Sequence, residues 1–405
     1  MQKDYLVIQL ARMGDLLQSK RLILSLEKTG RVWLVADRSL KRLAELIYPR
    51  ARILHIPAHG GGITDPLSRL GEIKKQLSII SEIDFSLVFN LNFSGLNFAL
   101  SRLFPPETMR GYFTENGQEM KSKWTRMAFN MTRSRSVSAI NLVDLWALHA
   151  PDPISPEKVN PRAEPGGTDL CVVLAGRNQR RSIPIPTLRG IVLALRERTK
   201  AGDIVLLGGK QDKDKAKRLA NALPEIYAAR TMDLTGKTGW SELIKRLGTA
   251  AAVITPDTGP MHLAAHLGVP VWAFFFSSAW CFETGPYGPG HRILQTVPPC
   301  APCLENRQCR FDLACHKLLS DPGMLRFLVH RTDEPPENLL CLDSITDALG
   351  TYYTPACGKD PYQKERDQLR SCLLAFHSPR ELGKGMVNPE TAGRLFPERE
   401  WILAD

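Results

Sequence analysis

The stretch VITPDTGPMHLAAHLGVPVWAFFF, residues 253–276, decides how this chain folds. An apolar run from Ala250 to Ile254 stops at Thr255 and Pro256, and Asp257-Thr258-Gly259-Pro260 opens a helical pattern carried by Met261, Leu263, Ala264, Ala265 and Leu267. Gly268 and Pro270 then close that helix in the order expected of a C-terminus, and a second apolar strand follows at once. The result is a strand, turn, helix and strand in one short unit. Asp257 or Thr258 serves as N-cap. The turn offers backbone amides, the Thr258 hydroxyl and the His262 imidazole at the positive end of a helix dipole, a setting that suits a phosphate.

The same grammar repeats outward. An apolar strand Tyr5 to Leu10 leads through Ala11-Arg12-Met13-Gly14-Asp15 into a helix over Leu16, Leu17, Leu22, Ile23 and Leu26, and a second strand runs from Val32 to Ala36. Further strands are expected at Ile53 to Ile56 and Ser86 to Leu91, with a helix near Leu67 to Ile80. Five prolines and Gly166-Gly167 between 151 and 167 read as a linker. Beyond it the pattern restarts with Leu170 to Ala175, a helix from Ile185 to Thr199, a strand Ile204 to Leu207 ending in Gly208-Gly209, and helices over Asp212 to Leu223 and Ser241 to Leu247. Leu342 to Tyr353 reads as one more helix, and 354–405 as a polar tail.

Strands alternating with helices in both halves imply α/β architecture with two parallel sheets. The expected domains are 1–160, 161–353 with a Cys-rich segment at 300–316, and a tail 354–405 that packs back on the first domain. Ligands of such sheets bind beyond the carboxyl ends of the strands, so the loops after Leu10, Ala175, Leu207 and Ile254 are the ones to inspect.

The D-T-G-x-x-H pattern at Asp257, Thr258, Gly259, Met261 and His262 resembles the donor-site signature of the heptosyltransferase-like glycosyltransferase family 9, where it lies under the diphosphate of a sugar nucleotide. The resemblance runs in order over most of residues 5–315 and implies a GT-B fold, two Rossmann-like domains facing across a cleft. It also implies an ADP-heptose-like nucleotide-sugar donor and a lipid-linked or phosphorylated glycan acceptor such as a lipopolysaccharide core. LVIQLARMGDLL is similar to the family's opening motif, in which the aspartate of a Gly-Asp pair is the proposed general base; here that residue is Asp15, after Gly14. GRNQRRSIP resembles a phosphate-contacting segment, with Arg181 at the family's lysine and Pro184 at its proline. Gly208 and Gly209 let a ligand approach the backbone, and Asp212 stands near a nucleoside-binding glutamate of the family. Arg21 departs from a proline common in the family.

Sugar transfer with inversion needs a base for the acceptor hydroxyl and positive or dipolar groups for the departing diphosphate. Asp15 fits the first task and the second-half loops the second. Without a DxD-type pair to hold a cation on the diphosphate, no metal is expected to be required. The alternatives left open are another GT-B activity such as a sugar-nucleotide epimerase, and a binding protein that kept the fold without turnover.

The chain has 405 residues, 43% hydrophobic and 23% charged, which suits a globular protein of two domains. No apolar run is long enough to span a bilayer, and LVIQL is followed by Arg12 and Asp15, so a cytoplasmic location is expected. The net charge is +11, of which +7 lies in residues 1–165 with 23 basic against 16 acidic side chains. Between Met120 and Val143 there is no acidic residue, while Lys121, Lys123, Arg126, Arg133 and Arg135 interleave with Trp124, Met127, Phe129 and Met131. Such a stretch suits an acceptor phosphate, contacted also by Arg12 and Gly14, or the anionic inner-membrane surface. No nucleic-acid motif accompanies the charge, so no nucleic-acid partner is expected. Of nine cysteines, Cys300, Cys303, Cys309 and Cys315 cluster at a spacing open to a structural zinc or to free thiols.

Overall fold

The strand Lys3–Gln9 (β1) occupies the middle of the first sheet because its side chains are apolar and buried on both faces from Tyr5 to Ile8. This computed structural model describes residues 2–59, 65–126, 135–174, 176, 179–304, 306–330 and 334–377. Around β1 lie Gly30–Asp37 (β2), Arg52–Ile56 (β3), Leu87–Asn90 (β4), Met109–Glu115 (β5) and Gln118–Lys121 (β6), in the order β3-β2-β1-β4-β5-β6. The first five are parallel and β6 returns antiparallel to β5. The core on one face joins Leu6, Ile8, Trp33, Val35, Leu54, Ile80 and Val88. These elements, with residues 142–155, form the first of two compact units.

The expected first helix is broken in two, Met13–Gln18 and Lys20–Glu27. At Ser19 the backbone leaves helical geometry (ψ 0°) and its hydroxyl donates to the Leu16 carbonyl at 2.6 Å, offering the chain an alternative to the helical ladder. Arg21 follows and is buried, its guanidinium donating to Asp144 Oδ1 at 2.6 Å and to the Ile154 carbonyl at 3.0 Å. The residue that departs from the family's proline thus ties Leu142–Ala147 to the unit's core.

The second unit holds residues 135–141 and 156–377 among those described. Its eight strands are Asp169–Val173 (β7), Ile204–Leu207 (β8), Thr231–Asp233 (β9), Ala250–Pro256 (β10), Val271–Phe275 (β11), Arg292–Thr296 (β12), Leu339–Thr346 (β13) and Thr351–Cys357 (β14). They run in the order β14-β13-β12-β11-β10-β7-β8-β9, with β7 to β12 parallel and the last pair antiparallel. Leu170, Val172, Leu188, Ile191, Ile204, Leu206, Ile254 and Phe274 pack in one core beneath helix Ile185–Thr199.

The helix expected over Leu342 to Tyr353 is a β-hairpin instead. Asp347 Oδ1 accepts from the Leu349 and Gly350 amides, turning the chain where helix continuation would need Gly350 mid-helix. Residues 354–377 are not an irregular tail: Thr351–Cys357 extends the second sheet, and helix Gln363–His377 follows. That helix is anchored within its own unit by Arg370, which donates to the Ala139 carbonyl and to Asp347, and by the buried Arg366–Asp360 pair. Residues 378–405 of the expected tail lie outside the described residues. Among the described helices, none is long and apolar enough to cross a membrane.

Candidate functional site

In the second sheet the strand order reverses between β7 and β10, where connections leave in opposite directions and open a crevice at their carboxyl ends. The loops that follow those two strands carry Arg181 and the Asp257 turn. Arg181 lies in the one-turn segment Gln179–Arg181, and its Nη2 donates to Asp257 Oδ2 at 2.5 Å and to the Asp257 carbonyl at 3.1 Å. Both side chains are largely buried. The sequence-predicted arginine and the sequence-predicted turn therefore belong to one place.

Helix Gly259–His266 starts after Thr258, which has extended backbone geometry. The Thr258 side chain makes no capping bond to the helix; its hydroxyl lies 2.9 Å from Thr255 Oγ1 and donates to the Pro256 carbonyl at 3.3 Å. With Pro260 in the first turn lacking an N–H, the open helix start presents few donors, and they include the Gly259 amide. A first turn uncapped by its own threonine is what an anion would occupy. His262, 7% exposed, sits with Nε2 3.9 Å from Asp257 Oδ1. Met261 is fully buried and packs inward, so its contribution is to the core that holds the turn.

The glycine pair after β8 has a different local use. A Cβ on Gly208 would stand 2.9 Å from Asp212 Cβ, so only glycine lets that side chain pack here. Asp212 is 2% exposed; its carboxylate accepts from the Gly209 amide at 2.9 Å and pairs with Lys215 Nζ at 3.2 Å. It braces the loop from within.

Two residues that sequence reasoning passed over, Thr284 and Glu283, lie beside this site, with a third, Arg135, that it placed elsewhere. Thr284 Oγ1 donates to Asp257 Oδ2 at 3.3 Å, and its neighbour Glu283 is gripped by Arg135 through bonds of 2.8, 3.0 and 3.2 Å. The signal available was Glu283 itself, a lone acid in the otherwise neutral run AFFFSSAWCFETGP. Arg135 was expected on a basic face for a membrane or acceptor, yet it points into its own unit. Met127, Phe129, Met131 and Arg133 of that stretch lie outside the described residues.

Cys300, Cys303, Cys309 and Cys315 all line one pocket of about 650 Å³ together with Arg180 and Phe311, and all four are free thiols. Arg180 Nη2 lies 3.1 Å from Cys303 Sγ. Burial raises the thiols of Cys300 and Cys315, while the Phe311 and Leu313 amides lower that of Cys309. Among the described residues no three His, Cys, Asp or Glu side chains are grouped so as to hold a metal ion.

In the first unit the order reverses between β1 and β4, and the loop after β1 carries Arg12, Gly14 and Asp15. Asp15 Oδ2 accepts from the Arg12 amide at 3.1 Å in the first helical turn. The loop is wired to its surroundings: Asn92 Oδ1 accepts from the Leu10 amide at 2.7 Å, His59 Nε2 lies 2.7 Å from the Leu10 carbonyl, and buried Gln9 donates to the Asp15 carbonyl at 3.3 Å. Asn92 lies two residues past the end of β4, on the side that the sheet's switch point marks. Lys121 ends β6 with Nζ 5.6 Å from the Phe93 ring centre, and Lys123 and Arg126 lie just beyond.

Residues 192–314 match glycosyltransferase family 9 (heptosyltransferase). Lipooligosaccharide heptosyltransferase 2 of Haemophilus influenzae is 31% identical over 77 residues, covering 19% of this chain and 22% of that protein. Lipopolysaccharide heptosyltransferase 1 of Pseudomonas aeruginosa is 36% identical over 105 residues, 26% of this chain and 27% of that one. The matched stretches thus span about a quarter of these relatives' length. The structure of E. coli heptosyltransferase WaaC with ADP superposes with a TM-score of 0.54 at 16% identity, over 73% of this chain and 93% of that chain, which shows a shared fold. Residues 192–314 of this chain are thus similar to glycosyltransferase family 9, and most of the chain shares the fold of a heptosyltransferase.

Proposed function

We propose that this chain is an inverting, metal-independent glycosyltransferase that moves a heptose or related sugar from a nucleoside-diphosphate donor to a lipopolysaccharide-core or other surface glycan. The single observation that carries the reading is the donor turn: Asp257 held by Arg181 beside a helix start that its own Thr258 leaves uncapped. ADP is the favoured nucleotide, since the related fold was solved with ADP.

In the reaction the acceptor hydroxyl gives its proton to the Asp15 carboxylate as its oxygen bonds to the anomeric carbon. The bond from that carbon to the diphosphate breaks on the opposite face, and the electron pair leaves with the diphosphate. Arg181 and the Gly259 amide hold the charge that develops there. Arg181 has five N–H donors, so it grips phosphate without surrendering Asp257 entirely. Asp257 and His262 keep the turn in register, with Gly208, Gly209 and Asp212 shaping the neighbouring loop. Arg12, Gly14, Lys121, Lys123 and Arg126 are assigned to the acceptor, whose lipid anchor brings the protein to the inner face of the membrane.

The test is product formation from a panel of nucleotide sugars with a lipopolysaccharide-core acceptor, comparing wild type with Asp15→Asn. The variant is expected to lose transfer by at least about a thousandfold while binding nucleotide normally. Transfer near the wild-type rate would remove Asp15 as the base; saturation of wild type without turnover by any donor would make the chain a binding protein.

A further inference from the structure

Two carboxylates stand at the donor turn, and a nucleoside diphosphate brings more negative charge to it. Asp257 is balanced by Arg181. Glu283 lies one residue before the Thr284 that bonds Asp257, and it is largely buried, 16% exposed. Burial raises its carboxyl above the ordinary range and the nearby charge of Asp257 adds to the effect, while Arg135 opposes both. The guanidinium of Arg135 binds both carboxylate oxygens and is itself fixed by the Ser278 carbonyl at 2.7 Å and the Cys303 carbonyl at 3.2 Å. Among the described residues, the ion pairs at this place involve Arg135, Glu283, Asp257, Arg181 and His262.

We propose that Arg135 is a positioning residue of the donor site, neutralising Glu283 so that the Asp257–Gly259 turn accepts a nucleoside diphosphate. This rests on the donor-site reading given above. Arg135 arrives from residues 135–141, a segment that joins the second unit although the residues following it, 142–155, return to the first. The same segment is buried in its unit by Asn141, which donates to the Tyr353 hydroxyl at 2.9 Å. A cation fixed this firmly beside a carboxylate, and never itself aimed at the turn, acts through the charge it cancels.

The prediction is specific to charge. Arg135→Gln leaves Glu283 facing Asp257 unbalanced, and ADP binding measured by calorimetry near pH 8 should weaken by about tenfold or more. Glu283→Gln should bind ADP at least as tightly as wild type, and the double variant Arg135→Gln/Glu283→Gln should return to within about threefold of wild type. Lowering the pH should recover part of the affinity of Arg135→Gln, because burial already raises the Glu283 carboxyl and the lost guanidinium no longer opposes that, and should do so less in the double variant.

Arg135→Lys keeps the charge and loses the fork to the Ser278 and Cys303 carbonyls, and it guards against misfolding of the glutamine variant. It should hold ADP within about threefold. If Arg135→Lys binds as poorly as Arg135→Gln, or the double variant stays weak, Arg135 serves only to brace the backbone and the proposal is overturned. Wild-type protein that binds no nucleoside diphosphate at all, ADP, UDP and GDP included, would instead sink the donor-site reading itself.

Discussion

Arg181 and Asp257 come from loops 76 residues apart in sequence and meet at 2.5 Å where the second sheet reverses its strand order. The pair orients both side chains before any ligand arrives. Under the proposed function it also sets a competition, since the same guanidinium would serve a phosphate. In the proposed function Asp257 holds Arg181 rather than binding the nucleotide directly.

Arg181→Gln should raise the donor KM by about 10- to 150-fold with a smaller effect on acceptor KM, the span expected when a hydrogen bond to a charged group worth roughly 1.5–3 kcal/mol is lost. Steady-state kinetics with each substrate varied in turn is the check. An equal rise in both KM values would point to a general loss of structure.

Arg21 and Asp144 form a buried ion pair in the first unit. Removing one partner takes the ion pair from a buried charge, so Arg21→Met should cost roughly 3–5 kcal/mol in urea unfolding, whereas Arg21→Met/Asp144→Leu should recover much of that. A single variant as stable as wild type would show that Asp144 finds another partner.

Acid should destabilise the protein through two histidines. His149 and His291 are buried, and desolvation lowers each to about 4, against about 6.5 in an unfolded chain. Both native states resist protonation, so the unfolded chain binds the extra proton first as pH falls. Stability is fully present above about pH 6.5 and drains away toward pH 4, by at most about 3.4 kcal/mol for each residue. His149→Gln/His291→Leu should flatten that limb in a pH series of urea titrations. An unchanged slope would assign the acid sensitivity to other groups.

Prolonged dialysis against EDTA should leave transfer unaltered, because fixed cations and helix-start amides are proposed to carry the diphosphate charge. Loss of activity that returns with Mg²⁺ or Mn²⁺, and not with Zn²⁺, would contradict this.

Much of the fold was legible because it rests on strong local signals. Ile185–Thr199 and Ile204–Leu207 have the bounds that their apolar runs and flanking Pro and Gly indicate. The hairpin β13–β14 was misread because Leu342, Ile345, Leu349, Tyr352 and Tyr353 fall at helical spacing; the turn at Asp347 and the β-branched Thr346 and Thr351 were the weaker but correct cue. The Asp257–Gly259 turn was legible as a strand-to-helix turn. Its surroundings were not: Thr284 reaches Asp257, and Arg135 reaches Glu283, only through tertiary packing, and no spacing rule joins positions so far apart. Gln9, His59 and Asn92 escaped notice beside Asp15 for the same reason.

The most direct test of the donor site is thermal unfolding of the wild-type protein with ADP, UDP and GDP and their sugars. A ligand at about 100 times its Kd stabilises the native state by about 2.7 kcal/mol, which for a unit of this size raises Tm by about 5–10 °C. The account predicts such a rise with ADP and ADP-heptose, much reduced in Arg181→Gln. No rise with any nucleoside diphosphate or nucleotide sugar would contradict it.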